Sequence, residues 1–459
     1  MQEKYSKKIE VNKVGIEFTN KKMTAYGGFS LLAAFFEKIK LKETLEKVVP
    51  VKEASPNKID IYDKVIGYAL ILYAGGSRFS HLLYLGCKEI LTKLFGAKRL
   101  PEASTTLTRL FNKLKSFKEV EQMSEGLWRY LAKLIPWQKI KEDWLGFDST
   151  VLLRYGKQEG AKRGYNPTKK GRVSHSPLIA FLNRSKYVIH LWNRPGNVSS
   201  WNNIEGFFKS TWARINGQIR IKGIIADSGF YLLKFIELLE ERVLKYIIAV
   251  RLSWPLQRKI YSLDSWEEVS DGIWVAEFQY MPYNWGKERR YIVVRQDITK
   301  RERAMGKQLR LFEFDTSDYR YSVWITNLED SPYQVWEQCK PRANDENTIK
   351  ELKEDFALGG FSMKYFYSTE AAMLIRVLIY NLFVLFRYEI LEQKEKTKRL
   401  KTIRYKYFVI PAQLGRDSRA DVLRVYAYSK KIRSKLKYLF SCIQQYSPLN
   451  MENCNAVET

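Results

Sequence analysis

The sequence has few of the residues that build thiolate centres and disulfide frameworks. It holds four cysteines, Cys87, Cys339, Cys442 and Cys454, and three histidines, His81, His175 and His190. No two cysteines form a CxxC pair, and three histidines complete no zinc-ligand spacing, so neither a zinc module nor a disulfide scaffold is expected. The start, Met1-Gln2-Glu3-Lys4-Tyr5-Ser6-Lys7-Lys8, lacks an apolar signal core. The greasiest stretch, residues 377–386, is interrupted by Asn381 and flanked by Arg376 and Arg387, too short and too charged for a bilayer span. A cytoplasmic protein with no membrane partner is therefore expected. There is no internal repeat and no low-complexity tract. Acids are the other shortage: 50 Asp+Glu stand against 78 Lys+Arg.

What is present follows from that imbalance. A formal charge of +28 at pH 7 favours polyanionic partners, with DNA or RNA foremost; the plainer reading is that the charge only keeps a large protein soluble. A disordered basic tail is excluded, because 45% hydrophobic residues, with 29 Tyr, 24 Phe and 12 Trp, can bury a large core. Length predicts about two to four domains.

Residues 25–140 show helical periodicity, broken at Pro50, Pro56, Gly75-Gly76 and Pro101. Within them, Leu107, Leu110, Phe111 and Leu114 form an apolar stripe behind Ser104, a candidate N-cap, and leave Thr105, Thr108, Arg109 and Asn112 outward. Those residue types suit base edges and phosphates, as in a recognition helix, and equally suit an ordinary amphipathic surface helix. After Trp144 the period changes. Strands are expected at 143–151, across 178–192 around the turn 183–186, at 222–226 and at 246–250, with helices at 200–215 and 231–244. That order fits an α/β fold with an RNase H-like mixed sheet.

Alternating patterns at 273–280, 290–295 and 319–326 predict a β-rich insertion domain. Helix resumes at Pro341 and runs to about residue 395 with a break at Gly359-Gly360; residues 388–440 then carry 15 Lys+Arg against five acids. The expected division is an all-α N-terminal DNA-binding region (1–140), an RNase H-like core in two parts (141–251 and 331–390) separated by the insertion (252–330), and a basic C-terminal region (391–459).

Three acids stand out. Asp148 follows the apolar strand ending Gly146-Phe147, an awkward place for a carboxylate unless it is used. Asp227 ends an apolar strand before Ser228-Gly229, at the carboxyl edge where α/β sites open. Glu346 shares a helix face with Arg342 and Lys353, all within roughly 40° at 100° per residue. Asp-Ser-Thr and Asp-Ser-Gly are also common turn and cap sequences, and an acid between two cations is also a common surface salt-bridge row. In combination, three lone acids on a basic chain suit a carboxylate site for two Mg²⁺ ions about 3.5–4 Å apart, the equipment for cutting and joining phosphodiesters.

With these residues in place the chain resembles bacterial insertion-sequence transposases of the DDE type, in the subgroup with a Tyr-Arg-Glu-Lys signature. Cys339, Arg342, Glu346 and Lys353 fall at the signature spacings, with Cys339 where the family has Tyr. Asp148-Ser149-Thr150-Val151, Arg154-Tyr155-Gly156, Gly164-Tyr165-Asn166-Pro167, Arg194-Pro195-Gly196-Asn197, Ala226-Asp227-Ser228-Gly229-Phe230 and Lys350-Glu351-Leu352-Lys353-Glu354-Asp355 are similar too. The similarity runs over about residues 18–428.

The resemblance implies a cut-and-paste enzyme with Asp148, Asp227 and Glu346 as catalytic, metal-binding triad and Arg342 and Lys353 as phosphate contacts. It also implies Mg²⁺ as cofactor, with Mn²⁺ as a substitute. Double-stranded DNA, as terminal inverted repeats and target, is the implied partner, held by a homodimer at the nucleoid. A non-catalytic DNA-binding protein and a stand-alone RNase H-like nuclease are the alternatives. Cys339 is expected outside the helix near the bound strand end, with Tyr333 able to take over the missing phenol's contact. Lys162, Arg163, Lys169, Lys170 and Arg172, in a loop from Lys157 to His175, are expected along DNA or in a solvated loop. His175 suits water positioning or a structural hydrogen bond, and Trp285 suits base stacking or a packing plug.

Overall fold

In the computed structural model the described residues are 9–166, 169–300, 319–340, 342–361 and 363–448. A nine-stranded mixed sheet organises the chain. Its strands, numbered along the chain, are β1 (Glu142–Ser149), β2 (Leu178–Leu182), β3 (Val188–Trp192), β4 (Arg220–Ala226), β5 (Tyr246–Ala249), β6 (Glu267–Ser270), β7 (Ile273–Tyr280), β8 (Arg289–Asp297) and β9 (Tyr319–Thr326). In space the order is β6-β7-β8-β9-β5-β4-β1-β2-β3. β4 is parallel to both β1 and β5, and the other pairings are antiparallel.

The strands expected to form an insertion are thus continuous with the main sheet, because β9 pairs with β5 through Ile247↔Thr326 and Ala249↔Trp324. Alternation gives each strand a face, but it does not name the neighbour.

β1 shows how the sheet is covered on both sides. Phe147 packs among Phe207 and Phe208 of the helix Ile204–Ile215, and Phe230 and Phe235 beyond β4. Trp144, on the opposite face, lies with Ile225, Ile247, Ile292, Val335 and Cys339. The last two belong to the helix Pro332–Cys339.

The region before β1 is helical from Phe29–Lys38 to Trp137–Ile140, but it is not all α. A hairpin, Ile9–Val11 with Val14–Ile16, precedes the helices, and Met23–Thr24 pairs with the distant strand Ala412–Asp417. Phe117–Leu134 shows why the helices form here: Ser116 and Glu119 make a capping box, and Val120, Met123, Leu127, Leu131 and Leu134 recur at helical spacing and are buried. In Ser104–Asn112 the expected stripe is buried and Arg109 is exposed, but Ala103 occupies the N-cap and Ser104 is the first helical residue.

The helix Phe366–Glu389 is long and apolar enough to cross a membrane, and here it is buried inside the protein. Its two arginines bond inside the protein. Arg376 donates to the carbonyls of Ala372, Ala357, Leu358 and Gly360, while Arg387 pairs with Glu351.

Candidate active site

Register places the two aspartates. Ala226 of β4 lies opposite Phe147 of parallel β1, so Asp227 and Asp148, the next residues, emerge side by side at the carboxyl ends of adjacent strands about 4.8 Å apart. Phe147 and Ala226 face the aromatic side, and Trp144 and Ile225 the other. By alternation both aspartates therefore share the face of Trp144 and Ile225, which Pro332–Cys339 covers. Both are half-buried. Asp148 accepts a hydrogen bond from the Ser149 amide at 2.6 Å, and Asp227 accepts one from the Gly229 amide at 2.8 Å.

Several residues quoted from sequence only as motif neighbours, together with Ser200, support the pair. Ser149 and Ser200 share a hydroxyl hydrogen bond of 2.8 Å across the acid pair's rim. Ser200 is held there by buried Arg194, whose guanidinium donates to the carbonyls of Ser199, Ser200 and Asn202 as well as Ser176. Gly229 is required by close approach: a Cβ there would lie 2.8 Å from Ser200 Oγ and 2.9 Å from Asp227 Oδ1.

Glu346 and Arg342 lie on the helix Arg342–Glu354; their side chains fall outside the described ones. Lys353, two turns beyond Glu346, ties this helix to the acid pair. Its side chain reaches solvent, but surrounding protein lowers its pKa, and the Asp148 carboxylate acts in the opposite direction. The helix is fixed from behind by buried Ile349, Leu352 and Phe356 and by the Glu351–Arg387 pair.

Two buried arginines fix the turn that follows, where Ala357 and Phe361 have positive φ of 48° and 52°. Arg376 binds three of its carbonyls, and Arg154 donates to Gly359 O at 2.6 Å. Arg154 also donates from Nε to His175 Nδ1 at 3.0 Å, leaving Nε2–H to donate to Glu159 O at 2.9 Å.

His175 is thus a neutral structural residue. Burial, then Arg154, lowers its pKa to about 4. With an unfolded value near 6.5, its contribution to stability is complete above pH 6.5 and is lost as pH falls towards 4. We expect up to about 3 kcal/mol from this group across that window. Denaturant titrations at several pH values should show a shallower acid-side slope for His175→Gln than for wild type. Glu370, raised to about 8 by burial, titrates in the opposite sense and cancels in that difference.

Other expected positions resolve differently. Cys339 lies outside the helix Arg342–Glu354, as expected, but it ends a helix of its own, Pro332–Cys339, and is buried against Trp144, Ile225 and Val335. Tyr333, on the same helix, contacts Trp336. Trp285 is engaged in packing, 4.8 Å from the Tyr231 ring with Arg289 over its face.

The segment from Lys157 to His175 is partly built as sheet: Lys162–Arg163 pairs with Val173–His175, which pairs with Leu152–Leu153. Lys162, Arg163, Lys169, Lys170 and Arg172 are all exposed.

The strand-end carboxylates are hard oxygen donors of the kind a divalent ion takes, so the site fits such an ion. Among the described residues no group of three His, Cys, Asp or Glu could hold a metal ion, and Glu346's side chain lies beyond them.

Residues 6–447 match the family model described as transposase DDE domain group 1, and the chain belongs to that family. It is a DDE-type DNA transposase, a class whose nuclease and transesterase chemistry generally uses divalent metal ions. Among solved structures it is similar to a piggyBac transposase in a synaptic complex with hairpin DNA, at 13% identity over 93% of this chain and 87% of that chain, with a TM-score of 0.47. No curated protein matches.

Proposed function

We propose that this transposase serves a bacterial insertion sequence, binding its terminal inverted repeats, cutting at their ends and joining the freed 3′-hydroxyl to target DNA. The observation that carries the reading is the parallel register that sets Asp148 beside Asp227. In it, Asp148, Asp227 and Glu346 hold two Mg²⁺ ions, for which Mn²⁺ substitutes. When bound, the ions activate the attacking oxygen and stabilise the leaving one.

The chain's own residues do the rest. The two aspartates stand at a half-buried rim, where opposite charges are screened less than in water. Arg342 and Lys353 bind the phosphates flanking the cut, the positions of the Tyr-Arg-Glu-Lys signature other than its Tyr. Ser200, held by Arg194, fixes the rim of the site and leaves the protons to water.

We assign residues 1–140 to end recognition through Arg109 and its helix, and the exposed cations Lys162, Arg163, Lys169, Lys170 and Arg172 to DNA backbone contacts. The RNase H-like core, its insertion and the basic C-terminal region complete the division, and a homodimer holds both ends.

Incubation of the purified protein with its flanking genomic DNA and Mg²⁺, followed by mapping of the ends, tests the reading. Cuts at the repeat termini and joined products are expected. Binding without metal-dependent cuts would leave a DNA-binding protein, and cuts without joining a nuclease.

A further inference from the structure

At the strand ends opposite the acid pair lies a cavity of about 720 Å³, lined by the start of β1, the start of β4, the β2–β3 turn, the end of Phe366–Glu389 and Lys396 beyond it. Its acids are all occupied. Asp143 accepts from the amides of Trp144, Arg184 and Ser185 and from the Ser185 hydroxyl. Glu142 pairs with Lys222 at 2.9 Å, and Glu389 with Lys139 at 2.6 Å.

Three of its cations, Lys141, Arg184 and Lys396, have no ion pair among the described residues. Tyr187, 1% exposed, lines the cavity, and its hydroxyl has no hydrogen-bond partner among the described residues. Cations without close ion pairs among the described residues, around a cavity whose acids are already bonded, make a site for an anion with several oxygens.

We propose that this cavity is a second DNA-phosphate site, separate from the reacting one. The inference rests on the reading of the chain as a DNA-acting enzyme and adds where the flanking duplex is held. Five residues of β1 separate Asp143 from Asp148, a distance of about 17 Å at 3.3 Å per residue. Duplex DNA covers that in about five base pairs.

Because both faces of the sheet are covered, DNA joins the two sites only around the protein surface, a longer path that a duplex extended past the cut spans and an end trimmed at the cut does not. The side chains of Lys141, Arg184 and Lys396 make no ion pair or hydrogen bond among the described residues, so replacing them leaves the core intact.

The test uses the full-length chain and two element-end duplexes, one trimmed at the cut and one extended by about two helical turns. Binding is measured by anisotropy over a salt series for wild type, Arg184→Glu/Lys396→Glu, and a control with the same charge change, Arg258→Glu/Lys259→Glu on the helix Trp254–Tyr261. Losing two phosphate contacts should weaken the extended duplex about tenfold or more and flatten its log K against log salt by about two. The trimmed duplex should keep its affinity and its cleavage rate.

An unchanged extended duplex, or an equal loss in the control, overturns the proposal. ATP and inorganic phosphate are titrated in parallel. If the Arg184→Glu/Lys396→Glu variant loses either ligand but keeps the extended duplex, the cavity is a small-anion site and the DNA assignment fails. If wild type binds neither duplex, the transposition reading itself fails, a distinct outcome.

Discussion

Asp148→Asn and Asp227→Asn should each lower end cleavage by about a thousandfold or more while sparing DNA binding. The substitution is nearly isosteric, and the side-chain oxygen that accepts the Ser149 or Gly229 amide remains available. What disappears, on the proposed reading, is one carboxylate ligand for the metal ion, at a rim where two strand ends bring two carboxylates together. Metal-ion catalysis is worth several kcal/mol, and each 1.4 kcal/mol changes a rate about tenfold, so losing a ligand of the pair costs at least that factor. Cleavage of a labelled end by the folded variants, with binding measured on the same DNA, checks this. Wild-type-like cleavage in either variant removes that aspartate from the chemistry.

The second large effect is on stability. Arg387→Met should destabilise the protein by about 3–5 kcal/mol, because it strands Glu351 as a buried charge without its partner. The pair is almost wholly enclosed, with side chains 0% and 3% exposed and both Glu351 oxygens within 3.2 Å of Arg387 Nη1. Arg387 also binds Lys398 O, and Glu351 also accepts the Leu400 amide, so the pair links the helix Arg342–Glu354 to the long buried helix and to the segment behind both. Replacing both partners, as Glu351→Leu/Arg387→Met, should cost much less than the single change, since apolar pairs of similar volume often match a buried ion pair. Denaturant unfolding of the three proteins measures the difference. A single variant as stable as wild type would show that this pair does not hold the Glu346 helix in place.

The buried arginines also explain why the sequence was legible only in part. Asp148 and Asp227 were readable because each interrupts or ends an apolar strand; that their strands lie side by side was not, because β2, β3 and the helix Ile204–Ile215 separate them in the chain. The stripe of Leu107, Leu110 and Phe111 was readable for the same reason: periodicity reports burial.

Charge does not report burial. Arg154, Arg194, Arg376 and Arg387 count towards the +28, yet each is enclosed, and all four donate to protein groups rather than to a polyanion. Their acceptors are mostly main-chain carbonyls, which every residue carries and which therefore leave no mark in the sequence.

Cys339 precedes the helix read from Pro341, as expected, but the helix that ends at Cys339 and buries it was not foreseen. The earlier signal, Ser331-Pro332-Tyr333-Gln334, is a capping box with proline at the first turn, and it opens the helix that buries Cys339. The strands at 273–326 were found as strands and assigned to a separate unit, since their register with β5 depends on contacts that alternation does not encode.

The central claim is that Asp148, Asp227 and Glu346 surround one divalent-ion site, and iron-directed cleavage of the protein backbone tests it most directly. Fe²⁺ is loaded in place of Mg²⁺ on the DNA-bound full-length chain, peroxide and ascorbate are added, and the fragments are sized. Three cuts are predicted, near residues 148, 227 and 346, all competed by Mg²⁺ and all lost in Asp148→Asn/Asp227→Asn. Cuts elsewhere, or cuts that survive in that variant, would contradict the account.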